Sequence, residues 1–281
     1  VVAQRSIVWS QGSFLPHQAV GVLSLPAEID GSKVYWMVIS HDCDLANCIK
    51  ELLVEVIPCK PIEKPLGSAS YGKNPRLLHL HCSNNAQDIV LELDATLKNA
   101  VPKAQVNNFE PDSSLGMNGD NRNILRRWLA ARYYRAAFPE NFVKLLVSER
   151  FGKKDSVASR IETLLDVYGS KIRAILFNLD AGELIERLDG DNYQLGINVL
   201  YDSTKDLLAA MQDAESIQQQ LEDLFVNVFN QNEKWNGIEL IYCDKTSDQV
   251  MTVAMQVNLQ QWRMEHLSLR EDGGGSTLEQ S

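Results

Sequence analysis

From Asp206 to Phe229, the apolar residues Leu207, Leu208, Met211, Ile217, Leu221, Leu224, Phe225 and Phe229 recur at spacings close to three and four. That period predicts a long helix with one apolar face, and such a face must be laid on something. Apolar runs at Ile172 to Leu179, Tyr193 to Tyr201, Ile238 to Cys243 and Val250 to Val257 flank it, and each reads as a strand. The order strand, strand, helix, strand, strand predicts an antiparallel sheet with a covering helix. Ser159 to Tyr168 reads as a further helix. In the first of these strands, Ile172, Ala174, Leu176 and Asn178 alternate with Arg173, Ile175, Phe177 and Leu179, so apolar groups fall on both faces. An uncovered apolar face predicts an interface, here a homodimer formed through this half of the chain.

The first half has another rhythm. Val20 to Leu25, Val34 to Ser40, Leu53 to Ile57 and Ile89 to Leu93 read as short strands, separated by turn signals such as Asp30-Gly31-Ser32 and the prolines Pro58 and Pro61. Lys98 to Asn121 reads as a long polar loop. Ile124 to Ala137 has helical character, and Asn141 to Phe151 follows after Pro139. Gly152-Lys153-Lys154-Asp155-Ser156 is the natural boundary. The expectation is an α+β protein with three parts. Residues 1–152 form a β-rich, barrel-like domain with a long basic helix, 153–270 an acidic α+β assembly domain, and 271–281 a flexible tail.

The chain of 281 residues is 44% hydrophobic and 23% charged, which excludes fibrous and wholly disordered classes. No apolar window reaches the ~20 residues of a membrane span, and no signal-peptide pattern opens the chain. Five cysteines, an odd number in so long a chain, suit reduced thiols in a cytoplasm. The net charge of -10 is unevenly shared. Residues 1–150 hold 16 Lys and Arg against 15 Asp and Glu, and residues 151–281 hold 11 against 22. The first half is therefore free to present a basic face to a polyanion.

The stretch Ser40-His41-Asp42-Cys43-Asp44-Leu45-Ala46-Asn47 follows an apolar strand directly. Two carboxylates, an imidazole, a thiol and an amide are costly at a buried strand end unless solvated or paired, so the cluster is a site candidate. One Asp could activate water or stabilise developing positive charge, with His41 or Asn47 orienting it. The alternative is that Asp42 and Asp44 cap a turn and the next element. His41, Cys43, Cys48, Cys59, His79, His81 and Cys82 are raw material for zinc, but no Cys-x-x-Cys pair occurs. No metal ion and no cofactor is expected. Cys43 beside His41 is a lesser candidate nucleophile.

Three stretches, Gln11-Gly12-Ser13-Phe14-Leu15, Val38-Ile39-Ser40-His41-Asp42 and Val54-Glu55-Val56-Ile57-Pro58, together resemble the opening of the MazF/PemK-type toxins, small barrels that cleave RNA. The likeness covers roughly residues 8–62. Lys33-Val34-Tyr35 stands where the family has Arg-Pro, and Cys59-Lys60-Pro61 where it has Thr or Ser. What the resemblance implies is a small barrel core with a changed site, and a role in prokaryotic defence against phage.

Arg122, Arg126, Arg127, Arg132 and Arg135 lie within 14 residues, interleaved with Trp128, Tyr133 and Tyr134. On a helix, Leu125, Leu129 and Tyr133 form a stripe that packs on the core, while Arg127, Ala131, Tyr134 and Arg135 form another. Guanidinium groups beside an aromatic ring suit phosphate contacts and base stacking. An interdomain helix whose arginines pair with the acidic half is the competing reading. Tyr71-Gly72-Lys73-Asn74-Pro75-Arg76 reads as a turn exposing Lys73, Asn74 and Arg76 to a nucleic-acid backbone.

These readings converge on a nucleic-acid-directed hydrolase, with DNA preferred over RNA. Metal-independent excision of a base at its N-glycosidic bond is preferred to phosphoryl transfer, because the cluster carries no Arg or Lys of its own. Asp44 is the first choice of carboxylate, Asp42 the second, and His41 and Asn47 are the supporting groups. The alternatives are a MazF-like ribonuclease toxin, a non-catalytic nucleic-acid-binding or antitoxin-like module, and a zinc-supported interaction domain.

Overall fold

The computed structural model describes residues 8–47, 49–131, 138–151, 155–188, 190–204 and 206–263. The expected α+β class is observed. The described residues up to 131, with 165–174, form one compact unit, and those of 138–164 and 175–263 form a second.

In the first unit, besides a short hairpin of Glu28–Ile29 and Ser32–Lys33, the strands are β1 (Tyr35–Val38), β2 (Leu53–Ile62), β3 (Leu77–Asn84), β4 (Gln87–Asp94), β5 (Asn99–Pro102) and β6 (Leu115–Gly116). Strands β1 to β6 make a curled, antiparallel half-barrel in the order β1-β2-β4-β3-β6, with β5 also on β2. Both faces of the sheet are covered. Trp36, Val38, Val54 and Val56 pack with Ala19 and Val20 of helix α1 (His17–Val22), with Leu23 just after it and with Leu45 of α2 (Asp42–Ala46). The alternate residues Met37, Ile39, Ile57 and Cys59 pack with Leu125 and Trp128 of α3 (Gly119–Ala131). Alternation across the pleat accounts for the unbroken apolar run that ends in Ile39.

Several expectations fail here, each for a local reason. Val20 to Leu25 is not a strand, because α1 starts after Pro16 and turns Ala19 and Val20 onto the core. β2 runs through Pro58 and Pro61 rather than stopping at them. Pro58 falls where β2 exchanges β5, paired at 53–56, for β4, paired at 59–62, so the ladder is already interrupted there. Lys98 to Asn121 is no continuous loop, since it holds β5, a helical turn Lys103–Val106, β6 and the start of α3.

The second unit holds α4 (Glu140–Ser148), α5 (Val157–Tyr168) as far as residue 164, β7 (Ile172–Leu179) from residue 175 and β8 (Tyr193–Tyr201), followed by α6 (Leu207–Phe229) and β9 (Ile238–Ser247). After these come α7 (Val253–Gln256) and β10 (Gln260–Trp262). α6 has the expected extent, with Asp206 as its cap accepting a hydrogen bond from the Ala209 amide. The sheet order is β9-β8-β7-β10, and it is mixed rather than antiparallel, because β8 and β9 run parallel. Parallel neighbours need a crossover, and α6 is that crossover. Val250 to Val257 is not a strand either. Thr252 caps the short α7 over most of it, and Val250, Val253 and Val257 are exposed. The fourth strand is β10, whose Trp262 is buried and stacks on Phe177 at 5.5 Å, within an aromatic group that includes Phe138, Phe142 and Tyr193. Burying an indole outweighs the strand propensity of an exposed valine run.

Candidate functional site

Residues 10–15 run beside β1. Gly12 donates to the Val38 carbonyl at 2.8 Å, Val38 to Ser13 at 2.8 Å, and Leu15 to Trp36 at 2.8 Å. Gly12 has φ +93°, and a Cβ there would stand 3.1 Å from the Met117 side chain, so glycine is required. The ladder carries Gln11 to the end of β1. There its side-chain amide donates to the Ile39 carbonyl at 2.7 Å, and its backbone N–H donates to Asp42 Oδ1 at 2.8 Å. The other Asp42 oxygen accepts from Arg126 Nη2 on α3 at 3.3 Å, and Arg126 Nε donates to Gln11 Oε1 at 3.3 Å. The three residues close a ring of interactions. The Asp42 and Arg126 side chains remain 36% and 43% exposed, so the held carboxylate can still be reached from solvent.

The rest of the cluster serves α2. His41 is its cap, with Nδ1 accepting from the Cys43 amide at 3.2 Å. Asn47 Oδ1 accepts from the Ile49 and Lys50 amides at 3.1 and 3.0 Å and closes the following turn. The Asp44 carboxylate is exposed. Its backbone carbonyl and that of Asn47 accept from the buried Lys103 Nζ at 2.5 and 2.8 Å, which fixes the end of α2. Among the described residues, no hydrogen bond joins His41, Asp44 or Asn47 to the Asp42 carboxylate. A one-turn helix replaces the extended chain on which the set would have shared faces. Among the described residues there is also no group of three His, Cys, Asp or Glu placed to hold a metal ion. Cys48 lies outside them.

On α3, Arg127 is exposed as expected, while Ala131, placed by the sequence on the same stripe, is buried. Arg132, Tyr134 and Arg135, with Tyr133, lie outside the described residues. The turn at 71–76 corrects the sequence reading most sharply. Lys73 is fully buried, and Nζ donates to the Gly169 and Ile172 carbonyls at 3.0 and 2.5 Å. Asn74 is buried too, its Oδ1 accepting from the Arg76 and Leu77 amides and its carbonyl from Trp128 Nε1 at 3.0 Å. Arg76 is partly buried. Burial of the first two residues takes this turn out of the basic surface.

Gln11 and Arg126 were not singled out as site residues by the sequence reading. Arg126 is 84 residues from Asp42, and Gln11 is 115 from Arg126, so no spacing rule connects them. The one available signal was that Gln11 opens one of the three stretches that carry the toxin resemblance. His79, another buried polar residue, is structural. Its Nδ1 accepts from the Leu66 amide at 2.9 Å, which leaves Nε2 to donate to Glu92 at 3.0 Å.

The second unit has a cleft of about 290 Å³, lined among others by Asn141, Lys144, Arg187, Asp191 and Tyr193. Arg187 is clamped on the buried Asp180 at 2.9 and 3.1 Å, and Lys144 is paired with Glu140 at 3.0 Å, so both cations near the cleft already have carboxylate partners. No family model, curated protein or solved structure matches the chain.

Proposed function

We propose that the first unit is a nucleic-acid-directed hydrolase that excises a base at its N-glycosidic bond, with Asp42 as the carboxylate. The observation that carries this reading is the ring Gln11–Asp42–Arg126. A backbone amide and a guanidinium hold one carboxylate in a fixed orientation while leaving it in reach of solvent. Such a carboxylate suits the stabilisation of positive charge as the C1′–N bond breaks. Water then adds its oxygen to C1′, and its proton goes to the departing base, giving a free base and an abasic sugar. Arg127, exposed on the same helix as Arg126, would meet phosphate. Asp44 gives way to Asp42 because nothing positions its carboxylate. A place in defence against phage follows from the toxin resemblance and is proposed with it.

The test is to incubate the protein with modified and unmodified DNA and to count aldehydic abasic sites. Base release is expected in at least one substrate. Asp42→Asn should then lose 100-fold or more in turnover, about 2.7 kcal/mol in the barrier, while binding stays within about threefold. A second reading has its own support, since both Asp42 oxygens are engaged and the ring latches residue 11 to α3. In that case the unit binds nucleic acid without chemistry. DNA binding with no abasic sites in any substrate would select it.

A further inference from the structure

Lys73 sits on a short helical turn, Ser70–Gly72 and the residue after it, and is wholly buried within the first unit. Its ammonium reaches no carboxylate at hydrogen-bond distance among the described residues. It donates instead to the carbonyls of Gly169 and Ile172, at 3.0 and 2.5 Å, and stands 5.0 Å from the centre of the Tyr71 ring. Those carbonyls belong to 165–174, the stretch in which α5 ends and β7 begins and the one part of the later chain that belongs to this unit.

The backbone around the contact has no room to rearrange by side-chain motion. A Cβ on Gly67 would lie 2.0 Å from the Leu165 carbonyl oxygen, and one on Gly169 would lie 3.3 Å from Gly67. Two glycines thus let the loop at 66–73 and the stretch 165–174 touch chain to chain, and Lys73 is the side chain that clips them together. The Ser68 amide adds a bond to Asp166 at 3.3 Å.

We propose that Lys73 is an acid-sensitive clip that sets how firmly the stretch 165–174 is held against the loop at 66–73. A neutral amine satisfies two carbonyls with two N–H groups and buries no net charge, whereas a protonated one brings a full charge into the same dry site. Burial lowers the Lys73 pKa from the usual lysine value to about 7, with the Asp166 charge working in the opposite direction. The charged groups around the clip are Asp166 on α5 and Arg173 on β7, which is 5.4 Å from the same Tyr71 ring; the other titratable groups on elements packed against this loop are His79 on β3, which accepts from the Leu66 amide, and its partner Glu92 on β4. α3 presents Trp128 to Gly72. This inference does not depend on the role assigned to Asp42.

The sign follows from linkage. When the clip is open, Lys73 is solvated and binds its proton up to the ordinary lysine range, whereas when closed it loses that proton near neutrality. Below about pH 7 both states are protonated and the opening equilibrium is flat. Above it, the open state holds one more proton, so opening becomes less favourable by up to tenfold per pH unit.

The experiment is amide hydrogen exchange of the full chain between pH 6 and 9, read on peptides covering 165–174 and corrected for intrinsic exchange. In the wild type, the opening constant should be level below about pH 7 and then fall by up to tenfold per unit. In Lys73→Met, which keeps the apolar stem and removes the titrating group, the slope should vanish. A level wild-type profile overturns the proposal. So does a slope that persists in Lys73→Met, which would place the titrating group elsewhere. A titration of the Lys73 ε-carbon by NMR in the wild type applies even if the variant fails to fold. A midpoint below about 8 supports the clip, and a midpoint at 8 or above overturns it.

Discussion

Tyr242 on β9 occupies the space that a side chain on Gly196 of β8 would need. A Cβ at Gly196 would lie 2.2 Å from Cζ of the ring and 2.6 Å from its hydroxyl oxygen. The two residues are directly paired in the parallel ladder, next to a bulge between Leu195 and Gly196 that leaves Ile241 without an opposite number. The bulge turns Tyr242 over the glycine, and its hydroxyl accepts from Asn178 at 3.2 Å on β7. Three strands are thus tied across one face by one ring.

Gly196→Ala should therefore cost about 2–4 kcal/mol, because the displaced ring takes the Asn178 bond with it. Tyr242→Ala alone should cost a similar amount. In the double variant the methyl enters vacated space, so the total should fall short of the sum by 1 kcal/mol or more. Denaturant unfolding of the four proteins completes the cycle, and additive costs would mean that the ring does not depend on the glycine.

Lys103 should matter more than its place in a polar stretch suggests. Its side chain is buried and its ammonium closes the last turn of α2 through the Asp44 and Asn47 carbonyls. Lys103→Met removes two charge-assisted bonds and leaves two carbonyls to find water, at a cost of about 2–3 kcal/mol. If Asp42 acts from the start of that helix, activity should fall with stability and recover at lower temperature. A loss of activity at full stability would instead place Lys103 in the chemistry.

How much of this could be read beforehand depended on whether a feature was local. Tyr193 to Tyr201 and the long helix after Asp206 were legible because a run of nine or more residues with one period leaves few alternatives, and both appear with the expected bounds. Val20 to Leu25 and Val250 to Val257 were misread because short branched runs fit strand or helix alike, and the choice fell to Pro16 and to the Thr252 cap. The parallel pairing of β8 and β9 is set by where α6 returns the chain, which no single segment records. At the site, the position of Asp42 at a strand end was visible, but the amide and guanidinium that distinguish it from Asp44 come from 31 and 84 residues away. Lys73 was misassigned for the same reason. A Gly and a Pro around a lysine signal an exposed turn, and the carbonyls that bury it lie 96 and 99 residues further on.

The cysteines should separate cleanly by reactivity. Cys43 is exposed at the start of α2, whereas Cys59, Cys82 and Cys243 are buried. Burial raises the Cys82 thiol to about 12 and also pushes up Cys59 and Cys243. Since only the thiolate attacks an alkylating reagent, iodoacetamide at pH 8 should modify Cys43 within minutes and leave these three intact until the protein unfolds. Peptide mapping by mass spectrometry reads this directly. Early labelling of Cys82 would show that β3 opens far more readily than its packing implies.

Asp180 and Arg187 offer the sharpest test of the second unit. The Asp180 side chain is 3% exposed and accepts from Arg187 Nε and Nη2 and from the Gln194 amide at 3.0 Å, so it anchors the loop before β8 to the end of β7. The Arg187 guanidinium is about one-third exposed. Its hydrogen bond to Asp180 and the charge of that carboxylate raise its pKa further, so it stays cationic at any working pH. Removing the cation alone strands a buried carboxylate, and Arg187→Met should lower the unfolding temperature, tempered by the solvent that reaches the guanidinium. Arg187→Lys keeps the charge but loses the two-pronged geometry and should lower it by less. Asp180→Asn in the Arg187→Met background removes the stranded charge and should restore part of the loss. Thermal unfolding of the three variants decides the matter, because a pair that contributes only packing would show no recovery when the second charge is removed.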